Sequence, residues 1–210
     1  MAPAIFGQLP KDYKGKPFND SEYTKGAQPI PGRVELTYYD IGGEGIAYHD
    51  TDSVNNGSGK LNLDPNHQRP GVPDYIVHFR ANESVDISYT KDFADFNHPN
   101  RVDPKINQLY VGWEDDGEWT NYTVDVKAPG RYKIITVYSG GNNKSSISLN
   151  NQKPVELVLA NTGHVHWWAQ ATVGEITFPV AGLNLLTVKY GKGVNLAYLD
   201  FVPVYEEAKK

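Results

Sequence analysis

The chain has 210 residues, with 20 Lys and Arg against 25 Asp and Glu, a formal net charge of −5 and a pI near 5.7. That balance excludes the basic stripe a nucleic-acid or anionic-membrane binder needs, and at this length one domain around one core is the default. The absence of Cys excludes disulfides, thiolate metal sites and cysteine nucleophiles, while 20 Gly, 14 Pro, 14 Tyr, 7 Phe and 4 Trp pair turn formers with ring-bearing residues, as all-β chains of short strands do.

Residues 1–30 carry Pro3, Pro10, Pro17 and Pro29 among Lys, Asp, Gly and Ser with no hydrophobic period, which predicts an extended arm pinned by Phe6, Tyr13, Phe18 and Tyr23. The start, Met1-Ala-Pro-Ala-Ile-Phe-Gly, lacks a basic and an apolar signal region, so any export signal is expected to have been removed. No stretch approaches the roughly 18 uncharged apolar residues of a membrane-spanning helix.

From Pro31 onward strand signals recur. They fall at 34–39, 75–80, 85–89, 118–126, 131–139, 145–150, 155–160, 169–178, 183–190 and 194–204, bounded by Gly, Asn or Pro. In the fourth, Tyr122, Val124 and Val126 alternate onto one face. Closely spaced strands without a helical stripe predict an all-β antiparallel sandwich with jelly-roll connections over residues 31–205. Two stretches, 53–73 and 91–108, break the spacing as long loops rich in Asn, Asp, Pro and His, the kind of segment that carries recognition.

The sharpest local feature is Val111-Gly-Trp-Glu-Asp-Asp-Gly-Glu-Trp119. A glycosidase would take two of Glu114, Asp115, Asp116 and Glu118 as acid and base, but such a pair must flank one bond, which carboxylates within one turn do badly. An exposed Trp in this turn has another use: its flat ring stacks on a sugar at little entropic cost. The glycine-rich run 42–52 lacks the Lys and Ser/Thr of a phosphate loop. Asp50, Asp52 and Asn55 miss the spacing of an EF-hand, with Leu61 where Glu belongs. His164 and His166 alternate but lack a third metal ligand at recognisable spacing. Asn-x-Ser/Thr sequons at Asn56, Asn82, Asn121 and Asn143 arise easily by chance.

Taken in order, Glu35, Gly42-Gly-Glu-Gly-Ile-Ala-Tyr-His-Asp-Thr-Asp52, Val85-Asp-Ile87, Val111-Gly-Trp-Glu-Asp-Asp-Gly-Glu-Trp-Thr-Asn-Tyr-Thr-Val124, Gly130-Arg-Tyr132 and Asn195-Leu-Ala-Tyr-Leu-Asp-Phe201 resemble the family 6 carbohydrate-binding modules, with the related family 35 as the alternative. The resemblance implies a β-jelly roll that binds a polysaccharide or oligosaccharide without catalysis, beside a glycoside hydrolase module in the same or a neighbouring protein. It implies a cleft in which an aromatic pair grips a sugar and an Asn bonds it. The first aromatic is then Trp113 and the Asn is Asn195, with Tyr48 as a further polar contact and Trp119 on a second cleft of the sheet face. The family's Thr-Gly-x-Trp-x-x-Trp stands here as Thr162-Gly-His-Val-His-Trp-Trp168, which puts Val165 at the stacking position and Trp168 at the core position, with Trp167 and Trp168 as the alternatives for the second aromatic. A structural calcium held by a Glu-x-Glu pair and a late Asp is implied at Glu35 and Asp200, with Thr37 at the second Glu position.

The alternatives are a glycosidase or lyase on a jelly roll, and a protein-docking or adhesive sandwich. With 21% charged residues and abundant Tyr, Asn, Thr and Gly, the chain is expected to be secreted, extracellular or periplasmic, and a monomer with no nucleic-acid or membrane partner.

Overall fold

The computed structural model describes residues 6–7, 9–96, 98–141 and 144–205. The first residues of the arm, the side chain of Phe6 and the sequon at Asn143 lie outside that description. In chain order the strands are β1 (Phe6–Gly7), β2 (Gln28–Ile30), β3 (Gly32–Glu35), β4 (Tyr48–His49), β5 (Ile87–Tyr89), β6 (Leu109–Val111) and β7 (Trp119–Val126). There follow β8 (Gly130–Gly140), β9 (Ser146–Leu149), β10 (Val155–Glu156), β11 (Trp168–Phe178), β12 (Ala181–Lys189) and β13 (Val194–Pro203). One sheet runs β10-β9-β12-β7-β2, with β1 beside β12 and β4 beside β7; the other runs β11-β8-β13-β6-β5, with β3 beside β13. From β7 onward the chain passes repeatedly between sheets, as jelly-roll connections do.

The alternation in the sequence sets which side chains fill the space between the sheets. In β7, Thr120, Tyr122, Val124 and Val126 are buried while Trp119 and Asp125 stay partly exposed. The facing sheet contributes Tyr132, Ile134, Tyr138, Phe178, Leu199 and Phe201 to the same core. Three buried hydroxyls join there: the Tyr122 OH donates to the Leu36 carbonyl at 2.7 Å, and Thr120 Oγ1 lies 2.8 Å from the Tyr190 OH. Because unpaired buried polar groups are costly, this network fixes the layer spacing as well as filling it.

Two bulges keep hydrophobic faces inward where the sequence loses its period. In the β8–β13 ladder the register shifts between Leu196 and Tyr198, leaving Ala197 as the extra residue. Leu196 and Leu199 therefore both reach the core although their parity differs. Asn195, opposite Ser139, is turned to the outer face. On that face Tyr110, Val137, Trp168, Ala197 and Tyr198 form a satellite cluster, with Val102 of the 91–108 loop against it.

The arm is more deeply built in than its composition predicts. Residues 28–30 form β2, parallel to β7 at its edge, so the expected boundary at residue 30 cuts between two strands. Phe18 is 6% exposed and stacks on Tyr38 at 4.9 Å. The strand predicted at 75–80 is instead a short helix, α1 (Asp74–Val77), opened by Pro73, whose carbonyl accepts from the backbone N–H groups of Ile76 and Val77. The 53–73 loop is stapled by buried amides: Asn55 Oδ1 accepts from the N–H groups of Gly57, Ser58 and Ile87 at 2.9–3.2 Å. The 91–108 loop carries α2 (Asp92–Asp95). No helix among the described residues is long and apolar enough to cross a membrane.

Candidate functional site

A cavity of about 300 Å³ opens at the β6–β7 turn, between Trp113, Val165, His166 and Asn195, with Tyr110 on its wall. Trp113 is 44% exposed and sits at φ 58°, the left-handed region. A bulky residue there costs on the order of 1–3 kcal/mol and persists only where its surroundings hold it. Here the ring is backed by Tyr110, nearly parallel at 19° with centroids 6.4 Å apart. Tyr110 in turn meets the edge of Trp168 at 5.3 Å, so aromatic rings run without interruption from solvent to the sheet surface.

Gly112 precedes Trp113 because nothing larger fits: a Cβ there would collide with Oδ1 of Asn195. The Asn195 amide nitrogen donates to the Val165 carbonyl at 2.7 Å. Its Oδ1 lies against Gly112 and receives no hydrogen bond among the described residues. His166 is fixed from behind. Its Nδ1 lies 3.0 Å from Oδ1 of Asp95, which is 1% exposed in α2. The same Asp95 oxygen accepts from Trp168 Nε1 at 2.7 Å, and Oδ2 accepts from the Lys91 N–H at 2.6 Å. With Nδ1 engaged, Nε2 is the polar atom His166 has left for a ligand. At the rim the exposed Lys192 pairs with the half-exposed Asp115 at 2.6 Å.

The site residues read from the sequence divide. Trp113 and Asn195 line this cavity; Trp167, Trp168 and Tyr48 do not. Trp168 lies opposite Ser139 on the outer sheet face but is 0% exposed, roofed by the 91–108 loop, whose Arg101 N–H bonds its carbonyl at 2.8 Å. Trp167 packs its ring over Gly163 and beside His164. Val165 takes the cavity wall between them. Tyr48 pairs with Thr120, a core-facing position, and packs edge-on against Tyr39 at 5.4 Å, so it belongs to the interior. Trp119 stands on the solvent face of the first sheet and lines a separate hollow of about 360 Å³ with Asn121, Ser148, Gln152, Thr187 and Lys189. Val165 lines the cavity at the stacking position that the sequence count gives it, whereas Tyr110, His166 and Asp95 are not among the expected site residues; the alternation of His164 and His166 is the visible signal, and the partner of His166 is an acid 71 positions away.

The donors at Glu35 and Asp200 do not fit a structural calcium. Asp200 lies opposite Arg33, not Glu35, in the β3–β13 ladder, and both its oxygens accept from the Arg33 guanidinium at 2.8 and 2.9 Å. That guanidinium also covers the Tyr198 ring at 3.4 Å. The positive charge is thus supplied by the chain. Glu35 accepts from the Gln108 amide at 3.5 Å, and its carboxyl is raised above the ordinary range chiefly by burial, with Arg33 opposing.

Beneath the cavity the acids of the β6–β7 turn meet others. Oxygens of Asp50, Glu114 and Glu118 all lie within 4.8 Å of one another. Glu114 is 3% and Glu118 4% exposed. Glu118 Oε1 accepts from the Thr51 N–H at 2.9 Å and Oε2 from the Asp115 N–H at 2.6 Å. The Glu114 carboxyl is pushed well up by burial and then by the charge of Glu118. Burial also pushes Asp50 up to about 7 and Asp86 to about 6, with neighbouring acids adding to both. Asp50, Glu114 and Glu118 converge on one point rather than flanking a bond, the opposite of what glycoside hydrolysis requires.

No protein-family model matches the chain, and no curated protein does. Among solved structures, a family 6 carbohydrate-binding module from Clostridium stercorarium, in complex with cellobiose, is similar at 12% identity and TM-score 0.45, over 86% of this chain and 100% of that one. A β-1,3-glucan-binding family 6 module from Bacillus halodurans shares 12% identity at TM-score 0.47, over 84% of this chain and 98% of its own. A family 35 module from Clostridium thermocellum shares 20% identity at TM-score 0.40, over 56% and 88%.

Proposed function

We propose that the chain is a non-catalytic carbohydrate-binding module that grips a sugar ring in the cavity beside Trp113. The observation that carries this reading is the half-exposed Trp113 face, backed by Tyr110 and set across from Val165 and Asn195. A sugar ring has an apolar face of C–H groups and an equator of hydroxyls. The indole takes the face, while Asn195 Oδ1 accepts from one hydroxyl and His166 Nε2 bonds another. Preformed polar groups of this kind select among sugars, because the wrong hydroxyl pattern leaves them unpaired.

In this reading the protein acts outside the cytoplasm as a monomer and delivers a neighbouring glycoside hydrolase to its polysaccharide. The test is a screen of the purified protein against plant, algal and microbial glycans, repeated with Trp113→Ala. Binding to one glycan class that disappears in a folded Trp113→Ala variant supports the reading. Undiminished binding by that variant overturns the site, and silence across the panel overturns the function.

A further inference from the structure

We infer that Asp50, Glu114 and Glu118 form a binding site for a hard divalent cation, calcium by preference, which braces the turn carrying Trp113 from beneath. Two oxygens each about 2.4 Å from one ion stand at most about 4.8 Å apart, and the three carboxylates meet that limit. They arrive from two stretches of chain: Asp50 directly after β4, Glu114 and Glu118 from the turn between β6 and β7. Ionised together, three acids so placed repel one another unless a cation joins them.

The independent sign of a missing partner is on Glu114 itself. Its Oε1 is fully buried and has no hydrogen-bond partner among the described residues. Native structures rarely leave such an atom orphaned, and an unbound ion is one of the recognised reasons. On Asp50, Oδ1 accepts from the Asp52 N–H at 2.9 Å, while Oδ2 receives no hydrogen bond among the described residues. Glu114 and Asp50 thus keep lone pairs to give, while Glu118, whose Oε1 accepts from both the N–H and the hydroxyl of Thr51, keeps one on Oε2. Asp86 stands beside them with its carboxylate held by Asn56, adding negative potential.

All-oxygen, carboxylate-rich donors suit a hard cation and no soft one. Calcium suits them better than magnesium, which demands strict octahedral geometry and keeps much of its water. The ion would not touch a ligand of the cavity. It would fix Glu114, which also borders that cavity and follows Trp113 directly. The inference stands whatever the cavity binds.

The experiment is calorimetric titration of chelator-stripped protein with calcium chloride at pH 7, together with thermal melts. The expected result is one calcium per chain and a raised midpoint. Glu114→Gln and Asp50→Asn, both close in shape to the native residue, weaken the affinity about 10- to 100-fold or more, at least the loss that follows removal of an outer-shell partner. Glu35→Gln and Asp200→Asn leave it unchanged. Should the first two variants not fold, terbium emission sensitised by tryptophan and displaced by calcium in the unaltered chain provides the readout. Failure of the folded chain to take up calcium or terbium overturns the inference. So does uptake that survives both Glu114→Gln and Asp50→Asn, or uptake lost in Glu35→Gln or Asp200→Asn.

Discussion

Oδ1 of Asn195 occupies the space that a side chain on Gly112 would fill. Gly112 directly follows β6, whose Val111 lies opposite Leu196 of β13, which brings it level with Asn195. Gly112→Ala should therefore push Asn195 off the cavity wall. Affinity for the glycan is expected to fall at least tenfold, a loss of about 1.4 kcal/mol. Titration of the variant against the selected glycan checks this; unchanged affinity would mean that Asn195 makes no ligand contact.

Trp113 allows stability and binding to be separated. A residue at φ 58° prefers glycine. Trp113→Gly should be more stable than Trp113→Ala by roughly 1 kcal/mol, while both lose the stacking face and bind nothing. Paired melts and binding assays of the two variants test it, and a more stable alanine variant would contradict the backbone argument.

Asp95 anchors two rings and a backbone N–H from inside the 91–108 loop. Asp95→Ala strands these donors, at about 1–3 kcal/mol for each buried group left unpaired, and should lower stability by about 2–4 kcal/mol. His166→Ala removes a partly exposed ring and should cost under about 1 kcal/mol while reducing affinity. Urea denaturation midpoints of the two variants give the contrast.

Phe18 tests whether the arm is part of the sandwich. Its ring lies among Tyr23, Tyr38 and Phe79, with the Arg80 guanidinium 5.0 Å above it. Phe18→Ala is expected to destabilise the protein by about 3 kcal/mol, within the range for buried phenylalanine. A melt unchanged from the native protein would show the arm to be dispensable.

Glu35 sets a pH dependence. Burial raises its carboxyl in the folded protein above the unfolded value of about 4.3. Its contribution to stability is then complete below that value and is lost as pH rises through the raised folded one. Glu35→Gln removes the ionisation, so its stability should fall less than the native protein's between pH 4 and 7. Denaturation midpoints across that range decide, and parallel curves would refute the assignment.

How far the sequence discloses this molecule depends on the distance between partners. Strands such as β7 and β8 announce themselves by local alternation, and Trp113 by its place in a polar turn. The face of Asn195 is harder to read, because the bulge at Ala197 breaks the parity that links it to Leu199. Tyr48 misleads for a related reason: a two-residue strand has no period, and only its pairing with Thr120 shows that it points inward. The roles of Asp95 and Asp50 escape local inspection altogether, since their partners arrive from elsewhere in the chain. Arg33 shows the same limit, because a register offset of two positions decides which residue Asp200 meets.

The 91–108 loop grips Trp168 at both ends. Asp95 holds the indole nitrogen, while Asn100 and Arg101 bind the backbone N–H and carbonyl. Between those anchors His98 and Pro99 are exposed. A single proteolytic nick there would leave the core strands uncut yet detach the two halves of the roof from each other. The floor under Tyr110 and Trp113 would then loosen while most of the sandwich stayed folded, so that capture of ligand would fail well before the fold did.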